Sequence, residues 1–276
     1  MLKSDSTLEF QQVTPPSSTH RRTPESIIAL SELDAATAGL RKVGFHVVPG
    51  GTHPVGTENA LVPFPDGTYI EVIRFPKRIA SHRWWPLLQR GGGLVDVCAR
   101  TSDMAADIEA FRTAGVPYTD PRPLGRTRPD GFQLRFNVAN PVEDVGVVTF
   151  LVEDLTPRSE RIPTGTFHEN GAFGLERVRI VVSDPDRMSR CYAETLGDEG
   201  ANVSNPDLEG SGLEFQIGTC KLEYLKPIAS RSALSDWLRE RDPCPYDAVL
   251  RSSRAAGVVA PENANGVRLW LAPGDS

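Results

Sequence analysis

The sequence predicts an α+β protein of tandem βαβββ modules, whose sheets pair into half-barrels with helices on their flanks. Three observations predict it. A strand, a helix and three further strands recur in that order along the chain; Gly, Asp and Pro sit where the helices should stop and start; and the composition is ordinary for a globular protein. Of 276 residues, 39% are hydrophobic and 24% charged, enough to build one large domain or two that share an interface.

The first copy opens with the strand Ser26 to Leu30 (SIIAL). Glu32 to Lys42 (ELDAATAGLRK) follows with apolar residues at helical spacing and Gly44 as its stop. Phe45 to Val48 reads as a strand, His53-Pro54-Val55-Gly56-Thr57 as a loop and Asn59 to Val62 as a short strand. Thr68 to Arg74 alternates after the turn Pro65-Asp66-Gly67. The order restarts at Leu94 to Arg100, with Asp103 capping a helix through Ala114, Gly115 ending it, and strands at Phe132 to Val138 and Val145 to Val152. It restarts again at Leu175 to Val182, where Asp184-Pro185 opens a helix that Gly197 closes, with strands near Leu213 to Gln216 and Lys221 to Leu225. A fourth, curtailed copy is expected in Tyr246 to Ser252 and Val267 to Leu271.

One four-stranded sheet with a single helix buries only one face, so modules must pair to cover the other, and the pair encloses a cleft. The expected organisation is a flexible arm over residues 1–24, a two-module domain over 25–157, a polar connection over 158–171 and a second domain over 172–276. The arm is rich in Ser, Thr, Gln and Pro, and its His20-Arg21-Arg22 run is either a partner contact or a solvated tail.

Net charge is -6, with 30 basic residues dispersed among 36 acidic ones, which argues against nucleic acid as a partner. The first thirty residues hold no apolar run of signal-peptide length, and nowhere do about eighteen apolar residues follow one another, so the expectation is a cytoplasmic protein that neither enters nor binds a membrane. Cys98, Cys191, Cys220 and Cys244 lack metal or redox spacing and read as free buried thiols. The GGG run at 91–93 lacks the Lys-Ser/Thr of a phosphate loop and opens a strand.

Three stretches in correct order, GFHVVPGGTHPVGTENALVPFPDGTYIEVI (within Val43 to Ile73), GRTRPDGFQLR (Gly125 to Arg135) and HENGAFGLERVRIVV (His168 to Val182), carry a family likeness. The chain resembles glyoxalase-like proteins of the vicinal oxygen chelate superfamily over most of Glu25 to Ala272. The resemblance implies a divalent metal held by His or Gln from first strands and Glu from fourth strands, chelating neighbouring substrate oxygens and stabilising an enolate or similar anion. This sequence departs from that pattern. The first-strand position falls at Ser26, a poor ligand; the fourth-strand Glu is Glu71; the second module offers Asp96 and Phe150, and the third offers Arg177 and Glu223. The set is incomplete: Glu71 and Asp96 would supply oxygens, and His53 a nitrogen if its loop folds inward. No cofactor is assigned, and a divalent metal stays open.

The candidate catalytic residues are Glu71, His53 and Arg135. Glu71 shares a strand face with Tyr69 and Ile73, which suit a cleft better than water. His53 is either a general acid or base in its Gly-rich loop or a histidine bonded to backbone. Among Arg126, Arg128 and Arg135, guanidiniums fitted to a carboxylate or enolate oxygen, Arg135 is the preferred anion anchor because it lies on a predicted strand. Ion pairs with Asp120, Asp130 or Glu143 would explain all three as well. Asn59 either orients a substrate carbonyl or caps Gly56-Thr57. Trp84 and Trp85 either cover a core edge or form the lid of an apolar site. Asp96, Arg126, Arg128, Asn59, Trp84 and Trp85 complete the substrate-binding set.

The function expected is lyase or isomerase chemistry, cyclisation or rearrangement included, on a small oxygenated metabolite. The alternative is a non-catalytic protein that binds or sequesters a small molecule in the same cleft. Either form works as a monomer or a homodimer.

Overall fold

The computed structural model describes residues 22–254, 256–260 and 264–274. The first module runs β1 (Arg22–Leu30), α1 (Leu33–Lys42), β2 (Val48–Thr52), β3 (Glu58–Pro63) and β4 (Tyr69–Arg74). A short helix α2 (Trp85–Gln89) leads to the second: β5 (Gly93–Thr101), α3 (Met104–Thr113), β6 (Arg122–Thr127), β7 (Gln133–Ala139) and β8 (Phe150–Asp154). Helix α4 (Arg158–Arg161) precedes the third module, β9 (Ala172–Val181), α5 (Asp186–Leu196), β10 (Ala201–Asn205), β11 (Gly210–Ile217) and β12 (Cys220–Pro227). After α6 (Ala233–Arg241) come β13 (Cys244–Ser252), β14 (Gly257–Val259) and β15 (Leu269–Pro273).

Modules one and two close into a barrel of order β1-β4-β3-β2-β6-β7-β8-β5, with β5 returning antiparallel to β1. On the opposite side the modules meet through one register pair, Thr52 with Thr127. Gly51 makes that approach feasible: its φ is +136°, and a Cβ there would lie 2.0 Å from the Thr127 carbonyl oxygen. The second sheet, β10-β11-β12-β9-β13-β15-β14, stays open. Its last three strands come from the curtailed copy, in which the described residues between β13 and β15 form no helix.

The strands are apolar on both faces. In β1, Ile28 and Leu30 point into the barrel with Ile73, Val95, Leu134, Phe136 and Phe150. Ile27 and Ala29 point outward into a second core, which runs through α1, α3 and α5 to the outer face of the open sheet at Val178, Ile180 and Leu222. One continuous core therefore joins both sheets and fixes the barrel's outer wall. Asp103 caps α3 by accepting from the Ala106 N–H, and Gly197 ends α5 in the left-handed region.

Several expectations shift. Strand β1 begins at Arg22, inside the arm expected over residues 1–24; residues 1–21, with His20 and Arg21, lie outside the described residues. The strand expected at 45–48 forms instead over β2, and Phe45 and Val47 are buried core residues ahead of it. Of the strand expected over 145–152 only the end is extended, because Asp144 and Gly146 adopt positive φ and turn the chain before β8. Strands β6, β10 and β14 and helix α6 were not anticipated. The 158–171 segment is more than a polar connection: α4 folds against the barrel, and the His168 ring takes the His46 N–H on Nδ1 while Nε2 meets the Pro63 carbonyl at 2.8 Å. All four cysteines are free and buried. No helix among the described residues is long and apolar enough to cross a membrane.

Candidate active site

The barrel encloses a cavity of about 670 Å³, within the size range of small-molecule sites. Its walls are largely apolar, with Ile73, Trp84, Leu124, Phe136, Val138 and Phe150 turned inward from five different parts of the barrel. The polar side chains gather toward two ends of the cavity.

Glu71, on the inner face of β4, borders the cavity. Asn59, on the neighbouring strand β3, donates its amide to Glu71 Oε1 at 2.5 Å, so it holds the carboxylate instead of capping the Gly56-Thr57 turn. Gly50 clears the space: a Cβ there would sit 2.0 Å from Asn59 Oδ1. His53, in the turn between β2 and β3, is buried with Nε2 3.8 Å from Glu71 Oε1 and Nδ1 3.0 Å from Thr57 Oγ1. Burial pulls the His53 pKa below its ordinary value; Glu71 opposes the shift and Arg126 adds to it, which leaves the ring neutral near pH 7.

Arg126 on β6 is 5% exposed and borders the cavity, one Nη donating to the Arg161 carbonyl oxygen at 2.8 Å. Burial lowers its pKa, and Glu71 is the strongest opposing influence, so the guanidinium stays charged and faces that carboxylate. Arg161, from α4, grips Asp154 with Nε at 2.6 Å and Nη2 at 2.9 Å, pairs with Glu25, and donates to the Tyr69 hydroxyl at 2.9 Å. This network closes one end of the barrel. The cavity end of the site thus combines a held carboxylate, a neutral imidazole and a buried guanidinium.

Other sequence candidates land elsewhere. Arg135 is exposed: Leu134, Phe136 and Val138 of β7 face the barrel interior, and strict alternation turns Arg135 outward, so it is no anion anchor. Arg128 lies beyond the end of β6 and pairs with Asp130 and Glu160 outside the cavity. Trp84 is a cavity wall, 5.9 Å from Phe150 ring to ring, whereas Trp85 packs on Phe75 away from the cavity. Asp96 is fully buried behind Trp84. It takes the indole N–H at 2.7 Å, the Val97 N–H at 2.9 Å and an Arg83 Nη at 2.8 Å, and does not line the cavity. Arg83, Arg122, Asn140 and Arg161 border it unforeseen.

A family model for the glyoxalase-like domain matches residues 26–196. The chain belongs to that family. It is a glyoxalase-like protein of the vicinal oxygen chelate superfamily, and its fold is the expected one. A hypothetical protein from Staphylococcus aureus superposes with a TM-score of 0.67 over 91% of this chain and 99% of that one, at 12% identity. A triple variant of 4-hydroxymandelate synthase from Streptomyces coelicolor gives 0.57 over 83% of this chain and 71% of that one, at 15% identity. At such identities the likeness shows the fold alone. No curated protein matches by sequence.

The metal that the superfamily implies does not fit this glyoxalase-like site. Among the described residues no three His, Cys, Asp or Glu side chains are grouped to hold one. Glu71 already accepts the Asn59 amide and has the Arg126 cation beside it, which would repel a dication; Asp96 is committed to Arg83, Trp84 and Val97.

The open sheet of the glyoxalase-like chain repeats the register in altered form. Ile28 pairs with Glu71 and Asp96 in the barrel, and Arg179 pairs with Glu223 and Asp247 in the open sheet. Trp270 even donates to Asp247 at 3.0 Å, as Trp84 does to Asp96. Where the barrel has Ile28, Arg179 bridges Glu223 at 3.1 Å and Asp247 at 2.9 Å, and Arg177 also pairs with Glu223. These carboxylates are engaged internally.

Three histidines give the protein an acid limit. Burial depresses His53 and His168, and His82 falls to about 4 through burial and then the nearby Arg83 and Arg122. Below the unfolded value of about 6.5 the unfolded chain binds more protons than the native one, so stability falls as pH drops through that window and levels off beneath the native values. Melting temperature measured from pH 8 to 4 should decline below about 6.5. His82→Gln should flatten that decline, since its Nδ1 must stay unprotonated to accept the Trp84 N–H at 3.3 Å.

Proposed function

We propose that this glyoxalase-like protein is an enzyme performing lyase or isomerase chemistry, ring formation and rearrangement included, on a small oxygenated metabolite. One observation carries the reading: Glu71, His53 and Arg126 converge on a single, mostly apolar cavity. Glu71 would take a proton from a carbon next to a carbonyl. The electron pair moves onto the carbonyl oxygen, which Arg126 stabilises in the role expected of Arg135. Collapse of that anion reforms the carbonyl, with the proton returned at a new position or a leaving group expelled. Neutral His53, beside Glu71, is placed to relay the proton.

One polypeptide closes the barrel, so the site needs no second copy. A cytosolic location, in keeping with four free thiols, belongs to the proposal. The test is an untargeted mass-spectrometric comparison of metabolite extracts exposed to wild-type protein and to Glu71→Gln. A product formed by wild type and missing with the variant supports the reading. A metabolite retained unchanged by both makes the protein a binding or sequestering one.

A further inference from the structure

The wall made by β6 is unlike the rest of the cavity. Arg122, Leu124 and Arg126 alternate on its inner face, so two guanidiniums flank one apolar side chain along a strand, with Cα positions roughly 13 Å apart at the usual rise. Their surroundings differ from those of the other cavity arginines. Arg161 is neutralised by Glu25 and Asp154, and Arg83 by Asp96. Arg126 faces Glu71. Arg122, at the exposed end of the strand, has no carboxylate within ion-pair distance among the described residues: its neighbour Asp120, which also borders the cavity, pairs with Arg112 at 2.8 Å.

The polar groups therefore fall into two stations. Glu71, His53 and Arg126 form the reacting station, and at the other end of β6 a second station holds Asn140, Arg83 paired with Asp96, Asp120 paired with Arg112, and Arg122, whose charge no carboxylate offsets within ion-pair distance among the described residues. Burial is the main cause of the depressed His82 pKa, and Arg83 and Arg122 add to it, so both guanidiniums lie near that ring. An uncompensated guanidinium beside an apolar wall binds a carboxylate in a fork of two N–H donors.

We infer that Arg122 seats the carboxylate of the substrate, making the substrate an organic acid whose apolar segment lies over Leu124 and whose reacting carbonyl reaches Arg126. This rests on reading the cavity as a substrate site, and it narrows the substrate class from oxygenated metabolites at large to carboxylic acids.

The test is isothermal titration at pH 7.5 with 3-phenylpropanoate, 4-phenylbutanoate, hexanoate and octanoate, each against its primary amide. At least one acid should bind at least about tenfold tighter than its amide, as expected for a charge-assisted pair. Arg122→Met should abolish that preference while leaving the amide's affinity in place. The outward-facing Arg135→Met should keep it. Because Arg122 is exposed and unpaired, its replacement leaves no buried charge behind. The inference is overturned by equal affinity of acid and amide, by a preference that survives Arg122→Met, or by no binding of any acid. Binding is read without turnover, so a protein that selects acids but converts none sinks the enzymatic reading alone, and one that converts only neutral compounds sinks this inference alone.

Discussion

Turnover is expected to fall roughly 10²- to 10⁴-fold in Glu71→Gln, with ligand affinity changed little. Glutamine keeps the shape and an oxygen for the Asn59 amide, so the loss isolates the proton-accepting role of the carboxylate. Arg126→Met should cost roughly 10²- to 10³-fold in kcat, the usual penalty for removing one donor aimed at a developing oxyanion. Arg135→Met should stay within about twofold, because a side chain on the outer face contributes only ordinary surface effects. Steady-state kinetics on the three variants decides the matter through their contrast. Comparable losses in Arg126→Met and Arg135→Met would mean that the inner face of the barrel has been misidentified.

The repeat was legible because helix starts and stops are local signals. Asp103 caps α3 and Gly197 closes α5 where their chemistry alone places them. Glu71 was legible for a similar reason, since Tyr69 and Ile73 mark its face as one that avoids water. Strand β6 was not, because a strand that supplies the charged wall of a cavity carries Arg at its inward positions and so reads as polar turn. The Arg135 error had its remedy in the sequence. Leu134, Phe136 and Val138 alternate in FQLRFNV, and that parity already turns Arg135 outward. Arg161 had little local signal: Asp154 is near in sequence, but its other partners Glu25 and Tyr69 are remote and meet it only when the barrel closes. Side chains that face a cavity obey the geometry of the closed structure, and local periodicity reaches them only when a neighbour on the same face is plainly apolar.

That closing network supports the largest stability effect expected of a single substitution. Arg161→Met should destabilise the protein by about 3–5 kcal/mol, measured by urea denaturation with an unchanged m-value. The cost arises less from lost attraction than from what stays behind: Glu25, 1% exposed, would remain a buried carboxylate, and Asp154 a half-buried one, without their counter-charge. Arg100 and Arg158 approach Glu25 at 3.6 and 3.8 Å and offset only part of this. The double variant Arg161→Met with Glu25→Gln should therefore be more stable than Arg161→Met alone, although it departs further from wild type. Failure of that partial rescue would show that the network contributes through packing against Phe136 and not through charge. The distinction reaches the active site, because the backbone carbonyl of Arg161 anchors Arg126. If the unpaired buried charge is what the single variant cannot tolerate, the double variant should also regain part of the turnover, since a neutral residue 25 draws no water into the barrel and the carbonyl of position 161 can keep its place against Arg126.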